Sequence, residues 1–395
     1  MDTLLEPQYQ ELQQLFQLSD YLTEDVLIQR LKKIRIVDDL RQALIASIEG
    51  NNRIINKYLF NLPVTYQEPV AWIAPVLING NKRYAWMIGK IASEISEVRS
   101  RFDQASGSVC HDSILMCKHE PKPLIFIEPI AVSDFSEVAE SPSYKNTKNV
   151  NDFAIFQVGY KDTNGDVEDF DQRLVLNGTL LENNFKMAIA RAKKVINQLG
   201  EVDCFLLEKQ AKLLAMLHAE GHNRGHFAGS WSFDKSKSCL LHEAVEEFRA
   251  CLNAIKWSEY LELTNEQADL FALGVFLQRF FHYGYQAYIA DKKTHESIRE
   301  ISVALMFFET LHQAGVFCID IHKSNFNNFD LAQLKPALIA TLYKLNQQEF
   351  EAKNQGIDGL REVGRYWYQL AYPNSNFSPE AQSIYNHLRD LLTIN

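Results

Sequence analysis

The sequence predicts an α+β protein in which N-terminal helices and a mixed antiparallel sheet precede a mainly helical C-terminal part. Three observations carry that expectation. β-branched and aromatic runs bounded by Asn-Gly turns are confined to residues 65–178 or so. Apolar residues recur at three- and four-residue steps before and after that stretch. Proline, which breaks helices, occurs between 179 and 372 only at Pro336. We therefore divide the 395 residues into an α+β part, 1–178, and a helical part, 179–395.

Taken in order, Leu4, Leu5, Leu12, Leu15 and Phe16, then Leu27, Leu31 and Ile34, place helices within residues 1–60, with Asp20 or Thr23 as a cap near Glu24. PVAWIAPVLI and RYAWMIGKI, separated by NGNK, predict a hairpin over 68–92, because Asn-Gly readily takes the positive φ of a tight turn. KPLIFIEPIAV (122–132) reads as a further strand and the polar 134–151 as a loop. NDFAIFQVGY and QRLVLNG flank a second turn, whose Asp162–Asp166 also resembles the start of a calcium loop but lacks that loop's later glycine and glutamate. Candidate helices follow over 180–199, 203–222, 240–257, 264–284, 294–314, 330–348 and 378–393.

Hydrophobic residues at 46% and charged residues at 23% exclude a mainly disordered chain. A net charge of −10 argues against a general nucleic-acid binder, which neutralises phosphates with lysine and arginine. No apolar run approaches the roughly 18 residues of a membrane helix. MDTLLEPQYQ lacks the basic and apolar regions of a secretory signal. None of the six cysteines forms CxxC. Together these features predict a cytoplasmic protein with reduced thiols, no membrane partner and a small-molecule or peptide substrate.

The chemistry concentrates in His218-Ala219-Glu220-Gly221-His222-Asn223-Arg224-Gly225-His226. Histidines four apart on a helix lie one turn apart on one face and can grip one metal ion. With Leu214 as reference, His218 lies about 40° and His222 about 80° around the helix, at the edge of its apolar face, whereas His226 drifts to about 120°. Gly221 and Gly225 predict the helix end there, which leaves His226 as a third ligand or a substrate contact from a loop. Some twenty residues on, LHEAVEEFRACL forms a helix whose apolar face is Leu241, Ala244, Phe248 and Cys251. Glu247 lies about 100° from Phe248 and can point at a neighbouring helix; Glu246, about 160° away, is expected to face water or an open cleft. A carboxylate beside two helical histidines completes a His-His-Glu site for zinc or another divalent metal.

LHAEGHNRGHF followed by EEFRACL resembles the dipeptidyl-peptidase III family of zinc peptidases, which carries HExxGH and then EExRA, the second glutamate of which binds the zinc. The resemblance covers about 35 of 395 residues. It implies a zincin-like helical domain with His218, His222 and Glu247 as zinc ligands. The departures are specific. Three residues separate the histidines instead of four, Ala219 stands where the family's catalytic glutamate follows the first histidine, and Cys251 replaces the acidic residue after EExRA. Glu220 lies one residue off that catalytic position, and in the frame of His222 and His226 the position is Asn223, which cannot accept a proton from water.

Three functions follow. The first is a zinc hydrolase with Glu243, Glu246 or Glu220 as general base. The second is a non-haem iron(II) oxygenase on the same two-histidine, one-carboxylate site. The third is a non-catalytic metal-binding protein that lacks the base. Cys110-His111-Asp112 and Cys117-Lys118-His119-Glu120 form a second His/Cys cluster, and Asp320 with His322 a polar pair. Phe280, Phe281, Tyr283 and Tyr285 are candidate linings of an apolar substrate pocket.

Overall fold

The computed structural model describes residues 7–51, 70–91, 125–133, 153–161, 167–176, 178–202, 210–222, 240–260, 263–373 and 376–393. They fall into two compact units, the first reaching Leu180 and the second running from Leu181.

In the first unit, helices α1 (Pro7–Gln17), α2 (Glu24–Leu31) and α3 (Asp38–Ile48) precede five strands. These are β1 (Val70–Ile78), β2 (Asn81–Ile91), β3 (Ile125–Val132), β4 (Phe153–Lys161) and β5 (Val167–Leu176). They form one sheet in the order β1-β2-β3-β5-β4, antiparallel except for the parallel β3–β5 pair. The first hairpin turns at Asn79 (φ 51°) and Gly80 (φ 79°), the positive-φ pair that a two-residue turn requires. The periodic residues of the helices, Leu12, Phe16, Leu27, Leu31, Leu40 and Leu44, pack on Ala71, Ile73, Trp86 and Ile88 of β1 and β2. Asp20 joins helix to sheet by accepting from Arg83 Nε (3.0 Å) and the Tyr84 backbone N–H (2.9 Å).

The second unit is helical: α4 (Gly178–Ala192, which begins in the first unit), α5 (Ala211–Gly221), α6 (Leu240–Trp257), α7 (Asn265–Leu277), α8 (Tyr285–Ile289), α9 (His295–Gln313), α10 (Leu331–Ala352), α11 (Ile357–Ala371) and α12 (Pro379–Thr393). A short pair, β6 (Cys318–Asp320) and β7 (Asn325–Asn327), lies between α9 and α10. No described helix is long and apolar enough to cross a membrane.

Helix α6 is the centre of this unit. It packs against α5, α9, α10 and α11, and every residue from Phe248 to Ile255 is buried. Its buried Arg249 reaches Glu349 of α10 (Nη1–Oε1 2.7 Å).

The helix expected over 180–199 ends at Ala192 and is followed by a 3-10 turn at Asn197–Glu201. Two further elements depart from the sequence expectation. The span 264–284 is not one α-helix: Gln278–Gly284 is a π-helical segment that joins α7 to α8. A π turn takes one more residue than an α turn and frees carbonyls from the regular ladder. Here Phe281 O accepts from Arg191 Nη1 (2.9 Å) and Phe280 O from the Tyr385 hydroxyl (3.0 Å). Gly284 is needed for the fit, because a Cβ there would sit 2.4 Å from the Ala304 Cβ. The second departure is α11, absent from the candidate helices. Gly356 (φ 59°) opens it and Gly359 lies against the Ala352 carbonyl, so the two glycines serve a turn and a close approach.

Candidate metal centre

The two halves of the site come from α5 and α6, which are in backbone contact. A Cβ on Gly221 would lie 2.3 Å from the Ala250 carbonyl oxygen, so only glycine permits this approach. Asn253 Nδ2 donates to Gly221 O (2.9 Å) and fixes the crossing. His218 on the last turn of α5, and His222 directly after it, therefore face Glu247 of α6.

One ligand atom from each of His218, His222 and Glu247 lies within 4.8 Å of the others, the single such group among the described residues. His218 Nε2 is 3.2 Å from His222 Nε2 and 3.2 Å from Glu247 Oε2; His222 Nε2 is 3.8 Å from Glu247 Oε1. Donors around a tetrahedral zinc with bonds of roughly 2.0–2.1 Å stand about 3.3 Å apart, so the set fits such an ion.

The outer partners set which ring nitrogens face inward. His222 Nδ1 lies 3.3 Å from Glu246 Oε1, and His218 Nδ1 lies 3.4 Å from Cys251 Sγ. With each Nδ1–H directed at its outer partner, both Nε2 lone pairs point at the Glu247 carboxylate. Two lone pairs 3.2 Å apart beside an anion call for positive charge, which the Arg279 guanidinium supplies from one side. The arrangement is that of metal-ligating histidines, whose second nitrogen is held by a carboxylate or another acceptor.

Burial, then the Arg279 guanidinium, push His218 down to about 3, so its ring is neutral at ordinary pH. Burial alone would raise the Glu247 carboxyl, but His222, Arg299, His218 and Arg279 hold it well below the usual carboxylate range. Burial pushes the Cys251 thiol up to about 12, so it serves as a neutral acceptor. A neutral imidazole and an ionised carboxylate are the forms that bind metal.

Several expectations are corrected. Glu246 does not face water. It is 3% exposed and sits behind His222, because α5, α9, α10 and α11 all pack on α6 and a single buried face does not describe it. Phe280, Phe281 and Tyr285 are buried in the hydrophobic core, where Phe280 stacks on Phe308. Tyr283, half-buried, instead has the Arg279 guanidinium over its ring at 5.1 Å. Glu243 lies one turn before Glu247 on α6, partly exposed, with His295 Nδ1 3.5 Å from its carboxylate. Asp320 closes the β6–β7 turn by accepting from the backbone N–H groups of His322 and Lys323. His226, the Glu220 side chain, the Cys110–Glu120 cluster and Asp162–Asp166 lie outside the described residues.

Sequence reasoning missed Arg279, Glu300 and Arg299. Arg279, on the π segment, donates from Nη2 to His218 Nε2 (2.9 Å) and Glu247 Oε2 (3.3 Å), from Nη1 to Glu300 Oε2 (3.1 Å) and from Nε to Cys251 Sγ (3.0 Å). Arg299 bonds Glu300 (2.8 Å) and faces Glu296 (3.7 Å). A signal existed: an arginine within FALGVFLQRFF is a charge in an apolar run, and such a charge requires a buried partner.

No family model matches the chain, and no curated protein matches its sequence. Among solved structures, it is similar to that of DPP III from Caldithrix abyssi, with a TM-score of 0.55 and 9% identity over 97% of this chain and 70% of that one. The chain therefore has an α+β, DPP III-like fold, and its relationship to that protein is one of structure at low sequence identity.

Proposed function

We propose that this chain is a zinc-dependent, metallopeptidase-like hydrolase acting on a peptide or small amide, with His218, His222 and Glu247 holding the metal. The observation that carries this reading is the convergence of both Nε2 atoms on Glu247, with Glu246 and Cys251 behind the rings. The DPP III-like fold supports the reaction class. A bound zinc supplies a water with its pKa lowered toward ~7 and a Lewis acid for a carbonyl.

Of the three base candidates, Glu246 is occupied in orienting His222. Glu243 is four residues before Glu247, hence one turn along the same face of α6, and retains access to solvent. We assign it the proton transfer that Ala219 cannot perform, with His295 positioning its carboxylate. Tyr283 flanks the site through Arg279.

The test is hydrolysis of a mixed dipeptide-amide library by zinc-loaded protein. Zinc-dependent turnover, reduced about 100-fold or more in Glu243→Gln with zinc affinity unchanged, is expected of a general base. Zinc binding without turnover on any substrate would overturn the hydrolase assignment and favour a non-catalytic metal protein, for which the missing glutamate at Ala219 already speaks. Preference for iron(II) with oxygen uptake would overturn the choice of metal and reaction together.

A further inference from the structure

A buried guanidinium adjoins the candidate ligands. Arg279 is 6% exposed, and its Nη2 lies 2.9 Å from His218 Nε2, 3.3 Å from His218 Nδ1 and 3.3 Å from Glu247 Oε2, so it sits against two of the groups that the metal reading assigns as ligands. We propose that Arg279 is an intramolecular cation that competes with the metal for these donors and so sets the affinity of the site; this rests on the metal reading of His218, His222 and Glu247.

Three features make the guanidinium a competitor instead of a bystander. First, it answers the same need. The inward lone pairs and the carboxylate require positive charge, and Nη2 supplies it to two of the three ligands. Second, it has somewhere else to go. Nη1 is bonded to Glu300 and Nε to Cys251, so Arg279 can give up the Nη2 contacts and stay paired. Third, its backbone is fixed. It lies on the π segment, whose Phe280 and Phe281 carbonyls are bound by Tyr385 and Arg191, so the side chain is presented to the donors from a rigid base.

The local charges agree. Among the described residues, the carboxylates of Glu247, Glu296 and Glu300 pair with the guanidinium groups of Arg279 and Arg299, and those of Glu243 and Glu246 with His295 and His222, so acidic groups outnumber the two arginines and a dication is accommodated while both remain. Like charges at short range repel strongly where water is scarce. A guanidinium touching the donors therefore weakens metal binding, and it holds the site together when metal is absent. The expected behaviour is readily exchanged zinc in a protein whose metal-free form stays folded.

The test is a zinc titration of the full chain against a chromogenic chelator, together with thermal melting of the metal-free protein. Arg279→Met should bind zinc at least tenfold more tightly than wild type. It should melt earlier without metal and gain more in Tm when zinc is added. Arg279→Gln should behave likewise and serves if the methionine variant does not fold. Arg299→Gln removes the same charge from a side chain that acts on Glu247 through space but bonds Glu300, not a ligand, and should raise zinc affinity clearly less than Arg279→Met does. Equal or weaker zinc binding by a folded Arg279 variant overturns the competition while leaving the metal reading intact. An equal gain in both arginine variants also overturns it, in favour of a general field effect. Zinc binding by none of the proteins overturns the metal reading and the competition with it.

Discussion

Glu246 Oε1 lies 3.3 Å from His222 Nδ1, at 3% exposure, on the side of the ring turned away from His218. That placement makes Glu246 a positioning residue: it fixes the ring and raises the basicity of the inward nitrogen. Glu246→Gln should lower zinc affinity about 10–100-fold, as loss of an outer partner does elsewhere. Chelator competition measures this, and an unchanged affinity would remove Glu246 from the site.

The crossing of α5 and α6 depends on the missing side chain at Gly221. Gly221→Ala sets a Cβ 2.3 Å from a backbone oxygen, which no rotamer change relieves. Overpacking of this kind costs about 1–3 kcal/mol. The variant should melt several degrees lower and lose zinc affinity more than tenfold, because His222 adjoins the displaced residue. Calorimetry and the zinc titration check both parts, and wild-type values in both would show that the contact is dispensable.

Much of this architecture is legible in the sequence. The Asn79-Gly80 turn and the span of α6 follow from local chemistry and helical spacing, and the pairing of the histidine run with Glu247 is what the helical-face reading and the motif resemblance together imply. What escaped was set by tertiary surroundings. The helical-face argument sends Glu246 to water because it assumes one buried side, whereas four helices pack around α6. The π segment leaves no periodic mark, so the phase of Arg279 relative to Phe280 and Phe281 could not be read. Arg279 itself was legible as a charge among phenylalanines, but its partners lie on α5, α6 and α9.

Arg249 and Glu349 form an ion pair with both side chains 1% exposed, and Arg249 Nε, Arg249 Nη2 and Glu349 Oε2 have no hydrogen-bond partner among the described residues. Glu349→Ala strands a buried guanidinium and should cost about 3–5 kcal/mol, read from urea unfolding. Replacing both, Arg249→Met with Glu349→Leu, should recover most of that loss, since a buried pair gives little net stability over apolar packing. A double variant no better than the single one would assign the pair an irreplaceable role.

Stability should fall on the acid side through His282. Burial, then Arg191, lower its folded value from 6.5 to about 4. The unfolded chain thus binds the proton more readily, and the stability present above pH 6.5 is lost as pH falls toward 4. The shift corresponds to roughly 3 kcal/mol. His218, also held neutral, acts in the same direction. Urea midpoints of His282→Phe should vary less between pH 6.5 and 4 than those of wild type; parallel curves would contradict the assignment.

The most direct measurement is an equilibrium zinc titration of wild type, His222→Ala and Glu247→Ala, each first stripped of metal. One zinc per chain for wild type, with affinity lowered at least 100-fold in both variants, is the predicted result. Equal affinity in all three, or no binding by wild type, would contradict a metal centre at His218, His222 and Glu247.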